Sequence, residues 1–248
     1  MRSLILGGTK GLGRALAIES LARGITPIVT GRSTEEASAD PALAGAEFRK
    51  MDLSDPADVL DGTLYAGLED AGYVFWVAGA FLRKPLTDCS LQELTDMTEL
   101  HFVGPVAALS AIHRIMKLAR PLADAPGQPY HLVTVASTSS WRMRENETLY
   151  CALKAAKAHL TRNFCREMAR DLPGSKATVV NPGGLKTPNF WGTTGQTIDK
   201  FMEPAEVARI IWDRACAQPE AFDEYQIIRN DDGSPRVEVG ARMPESPF

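Results

Sequence analysis

Short apolar segments alternate with longer helical segments along most of the chain, and this alternation limits the folds that the chain can adopt. The apolar segments predict seven strands, at residues 4–6, 25–30, 47–51, 73–78, 130–136, 177–180 and 225–228. Segments of helical character separate them, at about 12–23, 56–69, 90–120, 149–171 and 204–217. Because strands that are apolar on both faces must be covered on both faces, the pattern predicts an α/β fold with helices on both sides of a parallel sheet.

The length of the chain fits this fold class. A chain of 248 residues, 44% hydrophobic and 23% charged, can build one large sheet with a continuous core, so we expect a single domain over residues 1–248. Two stretches look irregular: residues 183–203, rich in Gly, Thr and Asn, and the tail from Asn230 onward. The first is long for a simple connection, which predicts a substrate loop.

Charge and cysteine usage argue against several classes of protein. The formal net charge of −4 and the pI of about 5.7 do not favour nucleic-acid binding, which needs a concentrated basic face. No apolar run approaches the roughly 18 residues that a membrane span requires, and we expect a cytoplasmic protein without membrane association. The four cysteines form no CxxC pair and no His lies at zinc-finger spacing from them, so no metal site is expected.

A glycine cluster directly after the first strand predicts a dinucleotide-binding loop. Gly7, Gly11 and Gly13 give the pattern GxxxGxG at the start of a helix, with Thr9, Lys10 and Leu12 completing the loop. Glycine permits the sharp turn and lets the backbone approach a pyrophosphate, while the helix N-terminus offers unpaired N–H groups to the anion. Such loops also occur as plain turns, but the order of strand, loop and helix favours a binding site.

The residues at the end of the second strand favour NADP(H) over NAD(H). An NAD-preferring site carries Asp or Glu about 20 residues after the glycines, where it binds the ribose 2′-hydroxyl. This chain has Arg32 near that point, and a guanidinium group favours a 2′-phosphate. Lys10, within the glycine loop, can add a second positive charge. The alternative for both is an ordinary solvated surface cation.

Tyr150 and Lys154 form a YxxxK pattern that suits acid–base chemistry. Residues four apart share one face of a helix, so the phenol and the ammonium point the same way. A free tyrosine has a pKa of about 10, and a nearby positive charge lowers that value. Ser137 stands 13 residues earlier, at the end of an apolar strand, where open α/β sheets hold their ligands. Its hydroxyl can orient a substrate oxygen toward Tyr150.

These motifs together resemble the short-chain dehydrogenase/reductase family, from Gly7 to about Pro188. The further positions that match the family's pattern are Asp52, Leu53, Ala78, Gly79, Asn181, Pro182, Gly183, Thr187 and Pro188. The resemblance implies a doubly wound Rossmann sheet of about seven strands and interconversion of carbonyl and alcohol groups. It also implies roles for single residues: Tyr150 as acid–base, Lys154 as the group that holds the ribose, and Ser137 as the group that orients the carbonyl.

The same resemblance implies how the cofactor is bound. The residues expected to contact NADP(H) are Gly7, Thr9, Lys10, Gly11, Leu12, Gly13, Arg32, Asp52, Leu53, Ala78, Gly79, Tyr150, Lys154, Pro182, Gly183, Leu185 and Thr187. Family members pair through two helices, so a homodimer or homotetramer acting on a small molecule is expected.

Two departures from the family's pattern bear on the prediction that the protein is a catalyst. The usual Asn-Asn-Ala-Gly after the fourth strand is replaced by Trp76-Val77-Ala78-Gly79, so two amides are missing. An Asn that usually lies three residues before a Gly, and serves a proton route to the lysine, is replaced by His101. We expect His101 to relay protons in its place, with a packing role as the alternative. The missing Asn residues also support a second hypothesis, a dinucleotide-binding sensor that has lost catalysis.

Overall fold

The structure is a computed structural model that describes residues 1–119, 129–192 and 197–239, apart from the side chain of Asn189. The chain forms one sheet whose eight strands are β1 Arg2–Leu6, β2 Thr26–Gly31, β3 Glu47–Lys50, β4 Ala71–Trp76, β5 His131–Val135, β6 Lys176–Pro182, β7 Phe222–Arg229 and β8 Pro235–Val239. Their order in space is β3-β2-β1-β4-β5-β6-β7-β8. All neighbouring pairs are parallel except β7 and β8. This confirms the doubly wound fold.

Helices cover both faces of this sheet. The α-helices are α1 Gly11–Ala22, α2 Glu35–Ser38, α3 Pro56–Leu60, α4 Leu91–Thr98, α5 Gly104–Leu118, α6 Thr148–Asp171, α7 Pro188–Trp191 and α8 Pro204–Ala217. Alternate residues of β1 face opposite layers: Leu4 and Leu6 pack with α5 and α6, whereas Ile5 packs with α1 and α8. Strands that are buried on both faces therefore read as unbroken apolar runs, as the sequence suggested.

The eighth strand is a correction to the expected count of seven. The tail after Asn230 was expected to be irregular, but it turns at Gly233, which has φ of +88°, and returns as β8 along β7. Pro235 opens this strand at the edge of the sheet, where a missing N–H group costs no ladder hydrogen bond. All seven predicted strands are present as β1 to β7, with bounds that differ by a few residues from the predicted ones.

Two of the predicted helices are shorter than expected. Only Pro56–Leu60 of the segment 56–69 is α-helical, because the Asp61 side chain accepts a hydrogen bond from Thr63 N and starts a separate short turn. The predicted helix 90–120 is divided into α4 and α5 by a widened π-helical turn, Glu99–Val103. Residue 120 lies outside the described residues, as do residues 193–196 of the expected substrate loop. The described part of that loop contains α7 and a bridge between Leu185 and Met202.

His131, on β5, makes the stability of the sheet sensitive to acid. Its Nε2 lies 2.7 Å from Thr178 Oγ1 on β6, and burial, together with Lys176, lowers the pKa of His131 from 6.5 to about 4. Between pH 6.5 and pH 4, His131 therefore binds a proton in the unfolded chain but not in the folded chain. The free energy of unfolding that depends on neutral His131 is fully present above pH 6.5 and is lost as the pH falls toward 4. We expect this residue to account for about 3 kcal/mol of the free energy of unfolding lost by pH 4.

The measurement is urea unfolding at pH 7 and pH 4 for the protein, for His131→Gln and for His159→Gln. His159 is exposed, so its variant is the control and should lose as much stability as the unaltered chain. His131→Gln should lose clearly less. Equal losses in all three proteins would contradict the assignment of this acid sensitivity to His131.

No helix among the described residues is long and apolar enough to cross a membrane. Within the same residues, no group of three or more His, Cys, Asp or Glu side chains could hold a metal ion.

Candidate active site

A large cleft opens at the carboxyl ends of the strands, where the strand order reverses between β1 and β4. Ligands of open α/β sheets bind at such a reversal. The cleft has a volume of about 1460 Å³, larger than the roughly 300–1,000 Å³ of ordinary small-molecule sites. It can therefore hold an extended ligand together with a second, smaller one.

The glycine loop lies along the floor of this cleft. Gly7 has φ of +87°, and a Cβ atom there would lie 2.7 Å from Ala78 Cα. A Cβ atom on Gly13 would lie 2.1 Å from Gly7 O. At Gly7 the loop thus packs against the segment that follows β4, and at Gly13 it packs against its own turn, and neither position has room for a Cβ atom. Helix α1 begins at Gly11 in the same wall, so the loop can receive a pyrophosphate on its first-turn N–H groups.

Basic side chains gather beside this loop, at the end of the cleft near β2. Arg32 lines the cleft, is exposed, and forms no ion pair with any described residue. Lys10 Nζ lies 3.1 Å from a Glu36 carboxylate oxygen. Arg14, which the sequence analysis did not single out, also lines the cleft, and its Nε donates to Asp40 at 2.6 Å. Its position directly after Gly13 was the signal that could have identified it.

Ser137, Tyr150 and Lys154 lie together in the opposite half of the cleft. Ser137 follows β5, and its Oγ accepts a hydrogen bond from Ser139 N at 3.1 Å, which fixes the turn. Tyr150 and Lys154 project from one face of α6, and Lys154 Nζ lies 5.5 Å from the centroid of the Tyr150 ring. All three line the cleft and yet are at least nine-tenths buried. The structure thus brings the three expected catalytic side chains to one place.

Burial acts on the two titratable members of this set in opposite directions. It raises the pKa of Tyr150 above its usual value of 10, and a hydrogen bond with Ser137 offsets only part of this rise. Burial lowers the pKa of Lys154 to about 8. The direction for Tyr150 is opposite to the one expected from the YxxxK spacing, because removal of the phenol from water outweighs its neighbours. At neutral pH the phenol holds its proton, which suits a group that donates one.

His101 lies behind the cleft and does not line it. It is fully buried in the π-helical turn, and its Nε2 lies 2.9 Å from Ala80 N and 2.8 Å from Ala80 O. Burial and the charges of Lys154 and Lys157 hold the pKa of His101 well below 6.5, so the imidazole is neutral. Its Nδ1 has no hydrogen-bond partner among the described residues. The expected proton relay through His101 stays a prediction.

Most of the expected cofactor residues line the cleft. These are Gly7, Thr9, Lys10, Gly11, Leu12, Gly13, Arg32, Leu53, Ala78, Gly79, Tyr150, Lys154, Pro182, Gly183, Leu185 and Thr187. Asp52 is the exception, since its carboxylate accepts hydrogen bonds from Ser54 N at 2.9 Å and Ser54 Oγ at 2.6 Å. Its neighbours in sequence do reach the cleft, so Asp52 stands at its border.

Aromatic rings cover the side of the cleft next to Tyr150. Phe81 contacts Tyr150 edge-on, with ring centroids 5.0 Å apart, and stacks on Phe190 at 5.8 Å. Trp191 continues this wall toward Phe201 at 5.1 Å, and its Nε1 donates to Leu185 O at 2.8 Å. The ring contacts therefore shape a flat apolar recess beside the phenol of Tyr150.

Arginines lie at the rim of the same recess. Arg142 and Arg144 line the cleft, are exposed, and make no ion pair with the described part of the chain. Trp141 lies instead in a small depression on the outer face of α6, beside His159. Arg142 and Arg144 therefore belong to the lining of the cleft, whereas Trp141 does not.

Comparison with known proteins gives a consistent picture. The family model described as short chain dehydrogenase matches residues 2–197. An uncharacterized oxidoreductase of Staphylococcus epidermidis is 26% identical over 77% of this chain and 80% of its own. A 1-deoxy-11-beta-hydroxypentalenate dehydrogenase of Streptomyces arenae is 24% identical over 95% of this chain and 84% of its own. The solved alcohol dehydrogenase of Thermococcus sibiricus, complexed with 5-hydroxy-NADP, superposes with a TM-score of 0.74 at 21% identity and covers 98% of each chain.

Proposed function

The chain belongs to the short-chain dehydrogenase family, and on that basis we propose that it is an oxidoreductase that moves a hydride between NADP(H) and the carbonyl or alcohol carbon of a small molecule. The observation that carries this proposal is the meeting of Ser137, Tyr150 and Lys154 in one cleft with the glycine loop. Gly7 and Gly13 of that loop have no space for a side chain, which suits the tight turn of a pyrophosphate-binding loop.

Each of the three side chains has a distinct part in the proposed reaction. The dinucleotide, when bound, supplies or accepts the hydride. Ser137 orients the substrate oxygen, and Tyr150 donates a proton to that oxygen during reduction. Lys154, placed beside Tyr150, holds the ribose and keeps a positive charge next to the phenol. Orientation and a positioned proton donor provide most of the rate enhancement in this scheme.

A preference for NADPH follows from the basic side chains near β2. Arg32 is the cation of this group without an ion-pair partner among the described residues, so its guanidinium is free to meet a 2′-phosphate. We expect Arg32→Asp to weaken NADPH binding by about 10- to 100-fold. NADH binding should be retained or improved, because the new carboxylate can accept the ribose 2′-hydroxyl.

The measurement is titration of both dinucleotides against the protein, Arg32→Asp and Arg209→Asp. Arg209 is an exposed arginine on α8 that does not line the cleft, so its variant controls for the change in net charge. An unchanged ratio of NADPH to NADH affinity in Arg32→Asp would remove Arg32 from the proposed cofactor site.

The recess beside Tyr150 supports a ring-bearing substrate. Phe81, Phe190 and Trp191 offer flat faces to a planar group, and Arg142 and Arg144 at the rim can meet an anionic substituent on it. Pairs of aromatic ketones with and without a carboxylate, assayed with NADPH, test this. Higher kcat/KM for the carboxylates, lost in the double variant Arg142→Ala and Arg144→Ala, is the expected result. A preference for short aliphatic carbonyls would contradict it.

The sensor hypothesis makes a different prediction for the same protein. Trp191 lines the cleft, so its fluorescence can report binding by quenching and energy transfer to NADPH. Tight binding with turnover on a carbonyl panel supports the enzyme. Tight binding without turnover of any carbonyl supports the sensor, and absence of binding by either dinucleotide contradicts both.

A further inference from the structure

A second buried lysine lies one helical turn beyond Lys154. Lys157 is on the same face of α6 and has no exposed surface, whereas Lys154 borders the cleft. The proposed reaction does not use Lys157. A buried amine costs free energy unless it is paired or neutral, so its presence among apolar side chains calls for a function.

The amine of Lys157 is held by the end of β4. Its Nζ lies 3.2 Å from Ala78 O and 4.5 Å from the centroid of the Trp76 ring. Ala78 N in turn donates to Leu6 O at 2.8 Å, and Ala78 packs directly on Gly7 of the glycine loop. Lys157 therefore secures the carbonyl of a residue whose other side faces the cleft.

His101 secures the next residues of the same segment. Its Nε2 contacts both backbone polar groups of Ala80, and its ring lies against Gly79, where a Cβ atom would meet Cε1 at 2.7 Å. Residues 78–80 are thus fixed from behind by two buried basic side chains. Trp76 lies beneath the amine of Lys157, and His101 lies behind Gly79.

The surroundings of Lys157 disfavour the charged form of its amine. The charged or titratable groups that act on it are Lys154 on its own helix and His101 in the π-helical turn, and no described carboxylate forms an ion pair with it. Burial and Lys154 hold the pKa of Lys157 well below 10.5.

We propose that Lys157 is a positioning residue that holds the Ala78 carbonyl and thereby fixes residues 78–80 as the wall of the dinucleotide site. This inference rests on the proposed function for its purpose, because the wall matters only if a dinucleotide lies against it. The proposal predicts that removal of the amine increases the mobility of residues 78–80 without lowering the stability of the protein, because burial of an amine itself costs free energy of folding.

The test compares Lys157→Met with Lys157→Gln, whose side chains have equal length but differ in having a hydrogen-bond donor. Three quantities are measured: amide hydrogen exchange of residues 77–82 without any ligand, the Kd for NADPH, and the Tm. For Lys157→Met we expect exchange to rise and NADPH affinity to fall, each by about tenfold, at an unchanged or higher Tm. Lys157→Gln should restore both to within about threefold of the unaltered protein. The control is Lys117→Met, which removes a lysine that lies outside the cleft and forms an ion pair with Asp171.

The outcomes separate the inference from the function on which it rests. Exchange and affinity in Lys157→Met equal to those of the unaltered protein would overturn the inference, as would a Gln variant no better than the Met variant. Failure of either variant to fold would make Lys157 a residue required for folding and would also overturn it. Altered exchange in a protein that binds no dinucleotide would instead overturn the proposed function and leave the positioning of the segment standing.

Discussion

Tyr150→Phe is expected to lower kcat by about a thousandfold while the Kd for NADPH stays within a factor of about two. The ring of Tyr150 packs against Phe81 and His101, so phenylalanine keeps these contacts and removes only the hydroxyl. The structure places that hydroxyl in a buried site whose pKa is raised, where it holds a proton at neutral pH. Without it, the substrate oxygen has no positioned donor in the proposed reaction.

The measurement is single-turnover oxidation of NADPH with the best substrate of the carbonyl panel, together with NADPH titration. Tyr225→Phe is the matched control, since Tyr225 is a buried tyrosine on β7 that does not line the cleft. Its activity should equal that of the unaltered chain. If Tyr150→Phe retained more than about a tenth of the rate, Tyr150 would not be the proton donor.

Gly13→Ala is expected to weaken NADPH binding by about a hundredfold or more. The added methyl group would lie 2.1 Å from Gly7 O and 2.9 Å from Gly8 Cα, both of which are backbone atoms of the loop. Backbone cannot rotate aside as a side chain can, so α1 must move away from β1. That movement displaces the helix N-terminus on which the pyrophosphate is proposed to lie.

Isothermal titration with NADPH and a thermal melt measure the two parts of this effect. Gly62→Ala is the control, because a methyl group at Gly62 meets no atom within 4 Å. It should leave both binding and Tm unchanged. Normal NADPH affinity in Gly13→Ala would show that the dinucleotide does not depend on this loop, and would place the binding site elsewhere.

The features that local sequence patterns predict well are those that depend on neighbouring residues. Strand β5 is fully buried and lies in a mainly apolar segment of the sequence, and Tyr150 and Lys154 share a helix face because of their spacing alone. The glycine loop is likewise set by Gly7, Gly11 and Gly13 in one short segment. The fold class and most of the residues that line the cleft can therefore be predicted from patterns that span about 15 residues or fewer.

The features that were missed depend on contacts between distant segments. Strand β8 forms because β7 provides backbone hydrogen-bond partners for it, although Pro235 in the sequence argues against a strand. Lys157 looks like an ordinary helix surface lysine until β4 places Ala78 O and Trp76 beneath it. The pKa of Tyr150 depends on burial by Phe81 and other groups outside α6. Contacts between segments that are far apart in the sequence cannot be predicted from the residues of either segment alone.

The place of β1 inside the sheet, between β2 and β4, has a bearing on how the protein folds during synthesis. β1 is made before the other strands described here, yet its partner β4 follows about 70 residues later, and the far wall of the cleft at Pro182 follows about 180 residues later. A shorter nascent chain leaves β5, a strand apolar on both faces, as an open edge. We expect such chains to need chaperone protection, and truncation products ending before β6 to aggregate.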